Sequence, residues 1–269
     1  MPLIASAFLP ASPLLIPEIG KQNYHLLKKT CQAYEKVADI LKAEETEIII
    51  IISPNGPMRP DGLSLNVGPR LDLSFNEFGY LATIKTFSPA LSLEDDLKIK
   101  FSPDHPLYLI SQSQLDYGTA VPLQLVSDKL KPIKVLPLFP AENLDLKQHY
   151  ESGKMIAEIL RTRPEKIALI ATGNLSRRLK KKSPDGYSPK GARFDNKIIE
   201  YLKEAGDGKE KLLSIDKKMA EEALEGGLKQ LALLLGIIGD SYEPQILAYQ
   251  NDFGIGYLSV NFNLNVAPI

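Results

Sequence analysis

Five consecutive isoleucines, Ile48–Ile52, run between Glu47 and Ser53 with no polar residue to turn toward water. A strand of this kind is buried on both faces, as the central strands of parallel sheets are, and it needs helices packed above and below it. The run ends abruptly in Ser53-Pro54-Asn55-Gly56-Pro57, a cluster of turn formers. Ahead of it, Leu3–Leu9 reads as a buried strand that leads into a proline-punctuated turn, Pro10-Ala11-Ser12-Pro13. Between the two strands, Tyr24, Leu27, Cys31, Tyr34, Ala38 and Leu41 recur at three- and four-residue spacing and predict a helix over 20–43. The chain therefore opens as a βαβ unit.

The buried-strand pattern returns at 133–138 and 167–171, on either side of a predicted helix over 144–161, and shorter strand-like pieces fall at 63–67, 71–75, 81–87 and 107–110. The polar stretch 172–191 reads as a long loop, helices dominate 192–239, and 245–249 and 256–262 close the chain as strands. No repeat or composition break divides the 269 residues. The expectation is one α/β domain over 1–269, with a central mixed, mostly parallel sheet flanked by helices.

Net charge is -1, from 32 Lys+Arg against 33 Asp+Glu, so no bulk field draws the protein to nucleic acid or an anionic membrane. The longest apolar stretches, Ile48–Ile52 and Leu231–Ile238, fall far short of the ~20 residues that span a bilayer. The apolar N-terminus lacks a basic segment and carries Pro2, Pro10, Pro13 and Pro17, so it reads as part of the fold rather than a signal peptide. One cysteine, Cys31, excludes a disulfide framework and suits a cytoplasmic location. Of the three histidines, His25 and His149 lie in predicted helices and His105 in a proline-bounded loop. All three read as surface or interface residues.

Open α/β sheets place ligands beyond the carboxyl ends of their strands. Four such junctions stand out: Pro10-Ala11, Ser53-Pro54-Asn55-Gly56, Thr172-Gly173-Asn174-Leu175-Ser176-Arg177 and Tyr249-Gln250. Each by itself is ordinary turn chemistry; together they supply amides, hydroxyls and one guanidinium. The basic run that follows, Arg177, Arg178 and Lys180–Lys182, has no interleaved aromatics for base stacking and reads as a solvated loop.

Five ordered segments carry a family resemblance: 10–20, 52–57, 115–123, 172–177 and 249–257. In this order they resemble the class III extradiol ring-cleavage dioxygenases, B-subunit superfamily, and especially its Memo-related bacterial and archaeal branch. The resemblance implies a single α/β domain with Fe(II) at the strand ends, held by two histidines and a glutamate. Those positions are Ala11, Asn55 and Gln250 here. Further catalytic positions of the family, two histidines and an aspartate, are Tyr117, Arg177 and Asn174, while Asp116 is retained.

A facial triad needs neutral imidazoles and a carboxylate. Alanine has no donor atom, amides compensate none of the metal's charge, and an arginine cannot act as a base at neutral pH. The expectation is a catalytically silent relative without a cofactor, binding a ligand through Asn55, Asp116, Tyr117, Asn174, Arg177 and Gln250, or acting as a partner subunit beside a second copy or an intact paralogue. Arg177 either supplies positive charge in place of the metal or belongs to the basic loop. In the first case the ligand is a small anion, and an enzyme of different chemistry acting on such an anion is the alternative. A working Fe(II) dioxygenase would follow only from fold-level analogy.

Overall fold

Every residue of the isoleucine run is buried, in a strand with parallel neighbours on both sides. The structure, a computed structural model, describes residues 2–101, 105–204 and 206–264. The ends of the expected 1–269 domain, Met1 and 265–269, lie outside the described residues. In chain order the elements are β1 (Leu3–Leu9), α1 (Pro17–Gly20), α2 (Lys28–Ala43), β2 (Ile48–Ile52), β3 (Leu63–Asn66), β4 (Leu71–Phe75) and β5 (Tyr80–Pro89). Then come α3 (Leu91–Lys100), β6 (Leu107–Ile110), α4 (Tyr117–Val126), β7 (Lys134–Phe139), α5 (Leu146–Leu160) and β8 (Ile167–Thr172). The last are α6 (Pro189–Lys203), α7 (Gly208–Leu213), α8 (Lys217–Ala223), α9 (Leu228–Ile238), β9 (Tyr242–Gln250) and β10 (Tyr257–Leu264).

The strands form one mixed sheet in the order β4-β5-β7-β2-β8-β1-β10-β9, with β3 bridging β7 and β6. Its centre, β7-β2-β8-β1, is parallel, and β10 and β9 extend it antiparallel. Strand alternation divides the isoleucines between two cores. Ile49 and Ile51 pack with α2 and α4, and Ile48, Ile50 and Ile52 pack with α5, α6 and α9. Truncating one such residue to alanine costs about 2–5 kcal/mol, because the surrounding sheet relaxes only partly into the space left.

The structure departs from the sequence expectation in three places. The helix predicted from residue 20 begins as a 3-10 stretch over Lys21–Leu27 and becomes α-helical only at Lys28. Helices α3 and α4 were not expected, and α4 is hard to see because Gly118–Leu123 are all buried and leave no amphipathic period. His149 is not a surface residue. It is fully buried in α5, its Nε2 accepting from Ala141 N at 3.1 Å and its Nδ1 lying 2.7 Å from Asp145 O. With Nε2 accepting, Nδ1 carries the proton, and burial holds the ring below its ordinary pKa, in the neutral form. His25 and His105 are exposed, as expected. Cys31 is a free, buried thiol.

Candidate functional site

The β2 end and the start of α4 are joined by one hydrogen-bonded group. Ser53, fully buried at the end of the isoleucine run, donates its Oγ proton to Asp116 Oδ1 at 2.5 Å. Asp116 is the N-cap of α4, accepting from Thr119 N at 3.1 Å and Thr119 Oγ1 at 2.8 Å. Gly118 fits here because a Cβ would stand 2.2 Å from Ser53 Oγ. Asn55 completes the group: its N–H donates to Ser53 Oγ at 3.2 Å and its Nδ2 to Tyr117 Oη at 2.7 Å. The Tyr117 ring meets Phe78 edge-on at 5.6 Å. Burial raises the pKa of both Asp116 and Tyr117; hydrogen bonds from Ser53 and Thr119 oppose it at the first, the Asn55 bond and the charge of Arg177 at the second.

The β8 end abuts the same group. Pro122 in α4 has no N–H to give the Gly118 carbonyl, and that carbonyl accepts from Thr172 Oγ1 at 3.0 Å instead. Beyond Thr172, Gly173 packs against Gly227, where a Cβ would come within 2.5 Å of the facing Cα. Asn174 O accepts from Gly226 N at 3.0 Å, while its Oδ1 is buried without a partner among the described residues. Arg177 is half exposed and bound to Asp185, whose Oδ2 takes Nε at 2.8 Å and Nη2 at 2.7 Å. Asp116, the acid retained from the family pattern, is therefore not the one that faces the guanidinium. Asp185 neutralises Arg177 directly, and Glu77 adds negative charge near Tyr117 and Asp116. The basic loop is also tied down: Arg178 Nη1 donates to Glu222 O and Lys180 Nζ to Asp252 O.

A cleft of about 870 Å³ opens beside these groups, lined by Asn55, Asn76, Glu77, Gln112, Gln114 and Tyr117. Of the expected ligand set, Asn55, Asp116 and Tyr117 come together here, and Arg177 is near enough for its charge to act on Tyr117. Gln250 is committed elsewhere. Its Oε1 accepts from Thr30 N at 2.8 Å and Thr30 Oγ1 at 3.0 Å, and its Nε2 donates to Leu26 O at 2.8 Å. It thus closes the exposed amide end of α2, which has no side-chain cap of its own. Ala11 is buried beyond β1, beside Pro10, whose carbonyl accepts from Tyr34 Oη at 2.8 Å.

Fe(II) does not fit this donor set. Ala11 has no donor atom, and the Gln250 amide oxygen already serves two donors. Asn55, its Nδ2 given to Tyr117, can offer only a neutral amide oxygen, and among the described residues no cluster of His, Cys, Asp and Glu has the arrangement of a metal site.

One functional-looking group escaped the sequence reading. Asp195 of α6 is fully buried, accepting from Ser176 N at 2.8 Å and Tyr249 Oη at 2.7 Å, and it pins the loop that carries Asn174 and Arg177 against β9. Burial pushes its pKa up to about 7. The readable signal was its register: Gly191, Phe194, Asp195, Ile198 and Leu202 share the buried stripe of α6, and a carboxylate on that stripe needs donors.

Comparison with known proteins places these features. The chain is 28% identical over 270 residues to Protein CA_C1420 of Clostridium acetobutylicum, a match that covers 93% of this chain and 55% of that protein. The chain thus spans about half the length of that curated relative. The crystal structure of the uncharacterized protein JW3007 from Escherichia coli K12 shares the fold, with a TM-score of 0.68 and 17% identity over 96% of this chain and 99% of the other. The family described as the catalytic LigB subunit of aromatic ring-opening dioxygenase matches residues 5–259. The chain, a single α/β domain with a large mixed sheet, belongs to the LigB family.

Proposed function

We propose that this chain is a catalytically silent, metal-free member of the LigB family that acts as a ligand-binding or partner subunit through the cleft at the β2 end. One observation carries the reading: Gln250, at the position where the family places its carboxylate ligand, spends both ends of its amide on Thr30 and Leu26. A neutral amide used in this way offers a divalent cation neither charge nor a free lone pair in good geometry. The polar groups on the cleft wall are the amides of Asn55, Asn76, Gln112 and Gln114, the hydroxyls of Ser113 and Tyr117 and the carboxylates of Glu77 and Asp116, which suits recognition by hydrogen bonds.

Recruitment of the cleft for other chemistry on a small anion is the second reading. The Arg177–Asp185 pair counts against it, because the guanidinium that would greet the anion already holds a carboxylate. No helix among the described residues is long and apolar enough to cross a membrane, and we place the protein in the cytoplasm with a second copy or an intact paralogue as partner.

The test is oxygen uptake and ring-opened product from catechol and 3,4-dihydroxybenzoate, using protein loaded anaerobically with Fe(II). The expected rate equals that of free Fe(II) alone. Turnover above that blank which disappears in Asn55→Ala would overturn the reading.

A further inference from the structure

Away from the strand-end cleft, a cavity of about 810 Å³ lies where the loop after β7 meets α8 and the start of α9. Its size is that of a small-molecule site. Leu144, Leu146, Leu213, Ile215, Leu224 and Leu228 form aliphatic walls. Leu224 ends α8 in the left-handed conformation, with φ of 49°, and its side chain stays 40% exposed.

Two opposite charges line the same cavity without meeting. Glu225 and Lys229 are four residues apart, a spacing that pairs Glu with Lys on a continuous helix. Here Glu225 precedes α9 and folds back to cap it, Oε2 accepting from Gly227 N at 2.9 Å and Leu228 N at 2.8 Å. Its Oε1 has no hydrogen-bond partner among the described residues. Lys229 turns the other way and donates to the carbonyls of Ala141, at 3.2 Å, and Glu142, which leaves one ammonium N–H free. The buried His149 clasp fixes the loop that holds those carbonyls. Neither charge has an ion-pair partner among the described residues. Of the other charges on the lining, Asp145 caps α5 and Lys217 lies 3.8 Å from Glu221, while Glu142 and Lys147 add one charge of each sign.

We propose that this cavity binds a small aliphatic zwitterion of the α-amino-acid class. The ligand's ammonium lies on Glu225 Oε1, its carboxylate on the free N–H of Lys229, and its side chain among the leucines. Burial pushes the Glu225 carboxyl up and the Lys229 ammonium down; the Gly227 and Leu228 amides offset part of this at Glu225, and each charge offsets part of it at the other. A ligand with both charges relieves both at once, whereas a simple anion or amine relieves one and leaves the other.

Calorimetry and thermal shift of the full chain with L-leucine test the proposal, with 4-methylpentanoate, 3-methylbutylamine and glycine as comparators lacking the amine, the carboxylate and the aliphatic chain. Leucine is expected to bind saturably at one site, and each comparator at least about tenfold more weakly. Glu225→Gln and Lys229→Met should each weaken leucine at least about tenfold. Leu224→Asp should do the same by wetting the wall, and aspartate tolerates the left-handed backbone there. Circular dichroism establishes that each variant is folded. The proposal is overturned by the absence of saturable binding for leucine, isoleucine, valine and methionine, by comparators that bind as well as leucine, or by unchanged affinity in both charge variants.

Discussion

The ends of β9 and β2 carry two positions that the family resemblance pairs in one site, and the fold holds them in opposite ways. At the β9 end, neighbouring residues point to opposite faces of the sheet and both are clamped: Tyr249 to Asp195 of α6, Gln250 to Thr30 of α2. At the β2 end, Asn55 makes a single side-chain bond, to Tyr117, on the wall of an open cleft. On the proposed reading, substitution of a ligand residue had two structural outcomes. One position was absorbed into the packing of the fold, while the other stayed free to meet a ligand.

The largest effect that would separate these regions is pH-dependent. Asp195 titrates near 7 in the folded protein against an ordinary value of 3.8, so between those limits the folded state holds a proton that the unfolded state has released. Stability due to this group is full below pH ~4, falls as pH rises through the interval and levels off above 7, by a few kcal/mol at about 1.4 kcal/mol per unit. Asp195→Asn keeps an acceptor for Ser176 N and cannot ionise. It should match the native chain near pH 4 and exceed it at pH 8 in urea unfolding. Glu94, buried in α3 and also pushed to about 7, adds a slope of the same sign, so the difference between the two proteins isolates Asp195. A constant difference across pH would detach Asp195 from the β9 clamp.

Next in size is a direct contrast of the two ends. Gln250→Ala strips Thr30 N, Thr30 Oγ1 and Leu26 O of their partner and should cost about 2 kcal/mol. That is about 4–8 °C in melting temperature for a domain of this size. Asn55→Ala should cost about 0.5–1 kcal/mol, having one exposed side-chain bond to lose. Equal losses in thermal melts would erase the distinction drawn between the regions.

Smallest is Arg177→Ala. Its pair with Asp185 is 47% and 29% exposed, and removing it should change stability by no more than about 1 kcal/mol. A thermal-shift screen of small carboxylates and phosphates sharpens the point. A hit lost in Arg177→Ala would show the guanidinium leaving Asp185 for an anion and would revive the anionic-substrate reading.

The sequence made the fold legible where periodicity was strong. The isoleucine run, the β1 strand and the α5 helix all fall within two residues of expectation, because each is buried or striped in a way that one secondary structure alone satisfies. Helix α4 hid behind its uniform burial and Pro122. The site was legible in residue type and not in direction. A resemblance placed Gln250 with Asn55, yet nothing in the local sequence says that its amide would be taken by an uncapped helix 220 residues earlier. Asp185 was missed as the partner of Arg177 for a related reason: pairing across eight residues of irregular loop has no period to read.

Metal stoichiometry reads the donor set at Ala11, Asn55 and Gln250 most directly. After anaerobic loading with Fe(II) and desalting, elemental analysis should find iron, zinc and manganese well below one per chain. The same preparation of the triple variant Ala11→His, Asn55→His, Gln250→Glu should retain metal only weakly, since the new carboxylate would still face Thr30 and lie beside Asp252. One tightly held metal per native chain would contradict the account.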